Sequence, residues 1–410
     1  MSKIRFQIYS LGCKVNQYDA AALRGKLEQS GFIISSQPQL VIINTCTVTQ
    51  NAITKDQRLI RQLLQKFPHS RLVIMGCWPE TNNQVEKIIN DKKILFWGVG
   101  KIDQLVKKIL KLYSLKPIKE IILESGILAV TDRSRYFIKV GDGCNQFCSY
   151  CIIPFARGRL KSRPPLEIVK EIDLATQTGY REIVLSGIHL GRYGEDLKNN
   201  KIDLVNLIKE ILKIENLGRI RLSSIEINEV TPELIKLMKK ERQICPHLHI
   251  SLQSGLDKIL KLMNRPYTIN YFSERVRKLR RALPDIAITT DIIVGFPGET
   301  KKDFLITYQF VQKMQFSKIH VFSFSAHQKT KAFNLPHKVS PLEIKKRSAL
   351  LRKLSLELEN KYQQKILKKY KNKKLSLVAE GKIKNKYRCK TEFYFDLSLS
   401  KKDLSKNTLV

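Results

Sequence analysis

Cys144, Cys148 and Cys151 stand in the run CNQFCSYC, with three and then two residues between them. Iron-sulfur clusters of the four-iron type ordinarily take four cysteine ligands, so a three-cysteine loop leaves one iron open to coordinate another molecule. Zinc is the competing reading. A structural zinc site wants four ligands and commonly pairs two C-x2-C units, and no second unit lies near this loop.

Cys13, Cys46 and Cys77 are 33 and 31 residues apart, but each closes a short apolar run: IYSLGC, LVIINTC and LVIMGC. If those runs are strands of one parallel sheet, the three thiols end at its carboxyl edge, where such sheets gather ligands. Gly12 and Gly76 directly before two of them suit tight turns that carry ligands. Three thiols gathered this way can hold a second cluster; the alternative is three cysteines buried as small hydrophobes. Cys245 and Cys389 have no partner at useful spacing and read as core and incidental residues. His247 and His249 share one face of a strand and read as packing or hydrogen-bonding groups.

The elements needed to position these residues are legible. Ile4 to Ser10, Leu40 to Asn44, Leu72 to Met75 and Ile94 to Gly98 read as strands, with helical patterns over Asn16 to Ser30 and Ala52 to Phe67. This alternation predicts an α/β, doubly wound parallel-sheet domain over residues 1–115. Residues 116–133 read as a linker. From 134 to 370 the pattern restarts, with strands expected at Tyr136 to Val140, Glu182 to Leu185, Arg219 to Ser224, Leu248 to Leu252, Ala287 to Val294 and Lys318 to Phe322. Six βα repeats suggest a partial (β/α)6 barrel with its site at the carboxyl ends of the strands, closed by a long helix from Pro341 to Tyr370. Residues 371–410 carry short alternating runs, Leu375 to Ala379 and Phe393 to Leu397, and read as a small basic β module.

The composition narrows the function. Of 410 residues, 74 are Lys or Arg and 37 are Asp or Glu, a formal charge of +37. Such an excess favours a polyanionic partner, nucleic acid above all, since each cation placed on a phosphate releases a counterion. The bland alternative is a solvated basic surface. No signal peptide pattern is visible at Met1 to Gln7 and the apolar runs are too short to span a membrane, so the expected place is the cytoplasm. In that reducing compartment eight cysteines need a reason other than disulfides.

The loop C-x3-C-x2-C, with Tyr150 before its last cysteine, resembles the radical-SAM superfamily. More of the chain is similar to its methylthiotransferase family: LGCKVNQYDA, INTCTV and MGC in the first part, then DGCNQFCSYCIIPFARG, SGIHLGRYGEDL, LSSIE, HLHISLQSG and DIIVGFPGET. The resemblance implies an amino-terminal cluster domain, a radical-SAM partial barrel and a short TRAM-like RNA-binding module. It also implies two 4Fe-4S clusters and S-adenosylmethionine (SAM). On this resemblance Cys144, Cys148 and Cys151 hold the cluster that cleaves SAM to a 5'-deoxyadenosyl radical. Cys13, Cys46 and Cys77 hold the cluster thought to carry sulfur, and the product gains a methylthio group at an unreactive C-H.

IIPFARGRLKSRP, GIHLGRYGEDL and HLHISLQSG look most like the branch acting on N6-threonylcarbamoyladenosine 37 of tRNA. Isopentenyladenosine 37, or an aspartate of a ribosomal protein, is the alternative substrate. Strand ends supply candidate SAM contacts: Ser186 and Gly187, Glu226, Gln253 and Ser254, and Gly295, where a glycine lets adenine approach backbone. Arg157, Arg159, Lys161 and Arg163, just beyond the loop, are candidate contacts for the anticodon stem-loop. A flavodoxin- or ferredoxin-type electron donor is a further expected partner. Two rival classes stay open: a radical-SAM enzyme with incidental amino-terminal cysteines, and a non-enzymatic RNA-binding protein that uses zinc for structure.

Overall fold

The structure is a computed structural model that describes residues 3–82, 91–115, 134–197, 202–400 and 408–409. The expected linker 116–133 lies outside the described residues. The chain divides into two compact units. One takes Met1–Asp132, Phe137–Asn145 and Ile152–Ala175, and the other takes Arg133–Tyr136, Gln146–Cys151 and Thr176–Val410.

In the first unit the apolar runs become a parallel sheet in the order β2-β1-β3-β4-β5. Its strands are β1 (Arg5–Ser10), β2 (Ile33–Ile34), β3 (Leu40–Thr45), β4 (Arg71–Gly76) and β5 (Ile94–Phe96). β3 is buried at every position, as an aliphatic run covered on both faces should be. Helices α1 (Lys14–Gln29), α2 (Gln50–Lys66), α3 (Cys77–Thr81) and α4 (Ile102–Leu112) connect or follow the strands. α1 and α4 seal one face with Leu23, Leu27, Leu105 and Ile109, and α2 seals the other with Ile60 and Leu63. Gly31, in the left-handed region at φ 88°, follows the end of α1, as a glycine just past a helix is suited to do. This unit also takes α5 (Ile153–Arg157), β7 (Lys161–Ser162) and all but the ends of β6 (Tyr136–Asp142) and α6 (Pro165–Gln177). β7 pairs antiparallel with the end of β6.

In the second unit β8 (Glu182–Gly187) pairs parallel with β9 (Arg219–Leu222). A second parallel sheet runs β10 (Ser224–Ile225), β11 (His247–Ile250), β12 (Ala287–Val294), β13 (Lys318–Ser323). Between them come α7 (Leu204–Ile211), α8 (Pro232–Lys240), α9 (Asp257–Leu262), α10 (Ile269–Ala282) and α11 (Lys301–Met314). The long α12 (Pro341–Lys369) lies along β13, where the Ser355 hydroxyl donates to the Ile319 carbonyl and accepts from its N–H, both at 2.9 Å. The fold class is α/β with parallel sheets and a carboxyl-terminal antiparallel module, as the sequence leads one to expect.

That module is β14 (Ser376–Ile383), β15 (Lys386–Thr391), β16 (Asp396–Leu399) and β17 (Thr408–Leu409). The strand expected at Phe393 to Leu397 is instead a turn followed by β16, with Phe393 and Phe395 turned into the core. The expected runs also omit β15, whose Lys-Tyr-Arg-Cys-Lys sequence hides its alternation behind cations. Cys389, read as incidental, is fully buried at the centre of this module beside Leu377 and Phe395.

Arg219 and Arg221 of β9 bind the module to the barrel strands. Their guanidinium groups donate to the Lys390, Thr391 and Glu392 carbonyls at 2.9–3.0 Å, and Arg219 also reaches the Ser376 hydroxyl at 2.8 Å. Glu182 of β8 neutralises both, accepting at 2.6 Å from Arg219 and 2.7 Å from Arg221. Burial works against its charge, but Arg221 and Arg219 outweigh it and hold the carboxyl at about 2.

Candidate iron-sulfur and SAM site

The first unit brings Cys13, Cys46 and Cys77 to the carboxyl edge of β1, β3 and β4. Cys13 precedes α1, Cys46 follows β3, and Cys77 opens α3 directly after β4. Asn16, one helical turn past Cys13, joins them. Its Oδ1 accepts from the Cys13 thiol at 3.2 Å and lies 4.0 Å from that of Cys77. Its Nδ2 donates to Asn44 Oδ1 at 2.9 Å and the Thr45 carbonyl at 2.8 Å, which fixes the amide between two strand ends. Gly76 has φ 100°, and a Cβ there would stand 2.3 Å from Asn44 Oδ1, so the turn into Cys77 admits only glycine.

Cys46 and Cys77 are buried while Cys13 is exposed. Burial pushes the Cys46 thiol up to about 11 and the Cys77 thiol up to about 12. Free thiols there keep their protons, and a metal centre must displace them. The Cys46 N–H donates to Asp56 Oδ2 at 2.8 Å, and burial raises the Asp56 carboxyl to about 7. Among the described residues no group of three or more His, Cys, Asp or Glu side chains stands close enough to hold one metal ion. Ligands of a four-iron cube each meet a different iron and so stand farther apart than ligands of one ion.

Arg157, at the end of α5, is the cation of this site. Its side chain has no solvent exposure. It donates to both carboxylate oxygens of Asp142 at 2.9 Å, to Asn16 Oδ1 at 2.9 Å and to Asp19 at 3.3 Å. Burial opposes its charge, but Cys77, then Asp142, Asp19 and Cys13, outweigh it and hold the guanidinium above its ordinary value. Lys139 pairs with the same Asp19 and Asp142. Arg163 donates to Glu171 at 2.7 Å and to the Tyr18 hydroxyl at 3.0 Å. The motifs NQYDA and FARGRLKSR are thus two halves of one network.

This corrects the reading of Arg157 as an RNA contact. A guanidinium enclosed by its own chain and paired to two carboxylates has no face left for a phosphate. Arg163 is mostly committed to Glu171, whereas Arg159 and Lys161 are exposed.

In the second unit the loop Gln146–Cys151 rests on the segment after α9. The Ser149 N–H donates to the Met263 carbonyl at 3.0 Å, its hydroxyl donates to Leu262 at 2.7 Å, and Asn264 Nδ2 donates to the Phe147 carbonyl at 3.1 Å. Arg265 then donates to Cys148 Sγ at 3.3 Å, pairs with Glu226 at 2.7 Å and reaches the Ser251 carbonyl at 3.3 Å. Tyr267 donates to that same carbonyl at 2.7 Å. Tyr150 packs beside Phe296 and Met263, and burial holds its phenol well above the ordinary value. Cys144 belongs to the first unit, where its N–H donates to the Gly158 carbonyl at 3.1 Å.

The candidate SAM contacts fare unequally. Gln253 has φ 70°, bridges to Ile292 and sits at the end of β11. Ser186 is fully buried and bonds the Val184 carbonyl, and Gly187 ends β8. Ser254 is buried against the Thr307 hydroxyl at 3.3 Å. Gly295 has φ 78° and a Cβ there would stand 2.3 Å from Ile344, so packing within the chain by itself asks for glycine at this position. His249 and Asp291 pair at 3.0 Å, and His247 and His249 share the Thr289 hydroxyl at 3.2 and 2.9 Å.

Sequence reasoning missed Asn16, Asp19, Asp56, Asp142 and Arg265. The signal was polar residues at helical spacing directly after a cysteine, since Asn16 and Asp19 are both buried on α1.

The radical SAM superfamily pattern matches residues 138–311, and the pattern described as uncharacterized protein family UPF0004 matches residues 5–97. The threonylcarbamoyladenosine tRNA methylthiotransferase MtaB of Bacillus subtilis is 36% identical over 92% of this chain and 85% of that protein. The chain belongs to the radical-SAM methylthiotransferase family. The protein of the same name from Thermotoga maritima is 37% identical over 88% of this methylthiotransferase and 84% of its own length. A tRNA-2-methylthio-N(6)-dimethylallyladenosine synthase of Caldicellulosiruptor saccharolyticus is 34% identical over 89% and 80%. Among solved structures, the radical SAM methyltransferase TsrM of Kitasatospora setae superposes with TM-score 0.59 at 14% identity, covering 81% of this chain and 75% of that one, which speaks to the fold alone. No described helix is long and apolar enough to cross a membrane.

Proposed function

We propose that this chain methylthiolates C2 of N6-threonylcarbamoyladenosine 37 in tRNA, using SAM and two 4Fe-4S clusters. The observation that carries the reading is that Cys13, Cys46 and Cys77 follow three neighbouring strands at one sheet edge, with Asn16 touching Cys13 and Cys77, in a chain that also carries the C-x3-C-x2-C loop. A buried donor supports a group of negative charge there: Arg157 Nε–H has no acceptor among the described residues. Cluster sulfur is a suitable acceptor.

Cys144, Cys148 and Cys151 would hold the cluster that provides the electron for SAM cleavage, and Cys13, Cys46 and Cys77 would hold the cluster that carries the sulfur. The chain's own residues orient and screen. Asn16 and Asp56 hold the Cys13 and Cys46 ends, and Arg157 offsets thiolate charge. Arg265 fixes Cys148 against Glu226, which stays a candidate to meet SAM together with Tyr150, Ser186, Gly187 and Gln253. Arg159, Lys161 and the exposed hairpin cations Lys382, Lys384, Lys386 and Arg388 offer phosphate contacts to the anticodon stem-loop. A flavodoxin- or ferredoxin-type protein delivers the electron.

The threonylcarbamoyl substrate is favoured because the relatives bearing that name are 36–37% identical, against 33–34% for those named for dimethylallyladenosine. The test is the anaerobically reconstituted enzyme with SAM, a reductant and tRNA bearing either modification. The methylthio mass increment is expected on threonylcarbamoyladenosine. Its appearance on isopentenyladenosine alone overturns the substrate assignment.

A further inference from the structure

Arg157 lies six residues past Cys151 in the sequence, yet its guanidinium ends among the other cysteine group. It meets Asn16 Oδ1, the oxygen that accepts from Cys13, and it is the strongest favourable charge acting on Cys77. Two anions balance it, Asp142 at 2.9 Å and Asp19 at 3.3 Å, and Lys139 answers both of them. The site thus carries fixed charges of both signs, the cation next to the thiols and the carboxylates against the cation.

We propose that Arg157 is a positioning residue that sets the reduction potential of the iron-sulfur centre on Cys13, Cys46 and Cys77, so that the segment leaving one cysteine loop tunes the other centre. This rests on the two-cluster reading. A cluster gains negative charge when it accepts an electron, so a buried cation beside its ligands favours the reduced form and a buried anion disfavours it. Arg157 also has an Nε–H without an acceptor among the described residues, the kind of donor that raises a potential when it meets cluster sulfur.

Opposite signs distinguish this role from mere structural support. Arg157→Gln removes a cation and lowers the potential, while Asp142→Asn removes an anion and raises it. Arg157→Lys keeps the charge and stays close to the parent. The expected shift in each direction is on the order of a tenfold change in the reduction equilibrium, about 59 mV for one electron.

The experiment is a mediated potentiometric titration followed by EPR, with iron counted in the same samples. The protein is the full chain carrying Cys144→Ala, Cys148→Ala and Cys151→Ala, so that one centre remains. Shifts of opposite sign for Arg157→Gln and Asp142→Asn support the proposal. If Arg157→Gln binds no iron, Arg157→Lys and Asp142→Asn carry the test. A parent with about four irons whose potential ignores these changes, or moves the same way in both, overturns the role of Arg157 alone. A parent that binds no cluster removes the two-cluster reading and the proposal with it.

Discussion

Asn16 contributes one amide and touches two cysteines, a strand end and Arg157. Because that contact set needs Cys13, Cys46 and Cys77 to fold together, the cysteines should act as a group, separable from the loop triplet. Replacing all three with alanine is expected to cut bound iron from about eight to about four per chain. SAM cleavage to 5'-deoxyadenosine should persist while methylthio transfer falls below detection. Iron analysis and chromatography of the two products check this; loss of SAM cleavage together with transfer contradicts it. The thiols themselves were legible, since each closes an apolar run. Asp56 was not, because its partner, the Cys46 N–H, lies 10 residues away and nothing local marks a carboxylate that will be buried.

At the level of elements, the sharpest dependence lies where β8 and β9 meet the carboxyl-terminal module. Glu182 is depressed from its ordinary 4.5 to about 2. A depressed carboxylate stabilises the fold above pH 4.5, and that contribution fades as pH falls toward 2. Glu182→Gln leaves Arg219 and Arg221 buried without their anion, a loss of about 3–5 kcal/mol near neutral pH. The stability gap between parent and variant, read from urea midpoints, should therefore narrow as pH drops from 4.5. A gap that is absent at pH 7, or constant with pH, contradicts the clamp. The parallel strands were legible because buried aliphatic runs such as LVIIN and LVIM have few other uses. β15 was not, because it alternates cations with residues that only the packed module reveals as core. Gly295 shows the same limit, for its partner Ile344 is 49 residues away.

Across the whole molecule, the charge of +37 is the broadest feature and the least specific. Some of it is spent internally: Arg157, Arg219, Arg221 and Arg265 are enclosed and paired with carboxylates. A cation run beside an active loop therefore does not by itself mark an RNA surface. Arg159 and Lys161, and Lys382, Lys384, Lys386 and Arg388 of the hairpin β14–β15, are among the basic groups that stay exposed. The order of elements and the place of Cys13, Cys46 and Cys77 at one sheet edge could be read from the chain, whereas the sorting of basic residues into enclosed and exposed needed three dimensions. The most direct measurement is mass analysis of tRNA nucleosides from cells with and without this gene. Loss of 2-methylthio-N6-threonylcarbamoyladenosine, with its unthiolated precursor accumulating and the intact gene restoring it, is the predicted result. An unchanged level of that nucleoside in the deleted strain contradicts the account.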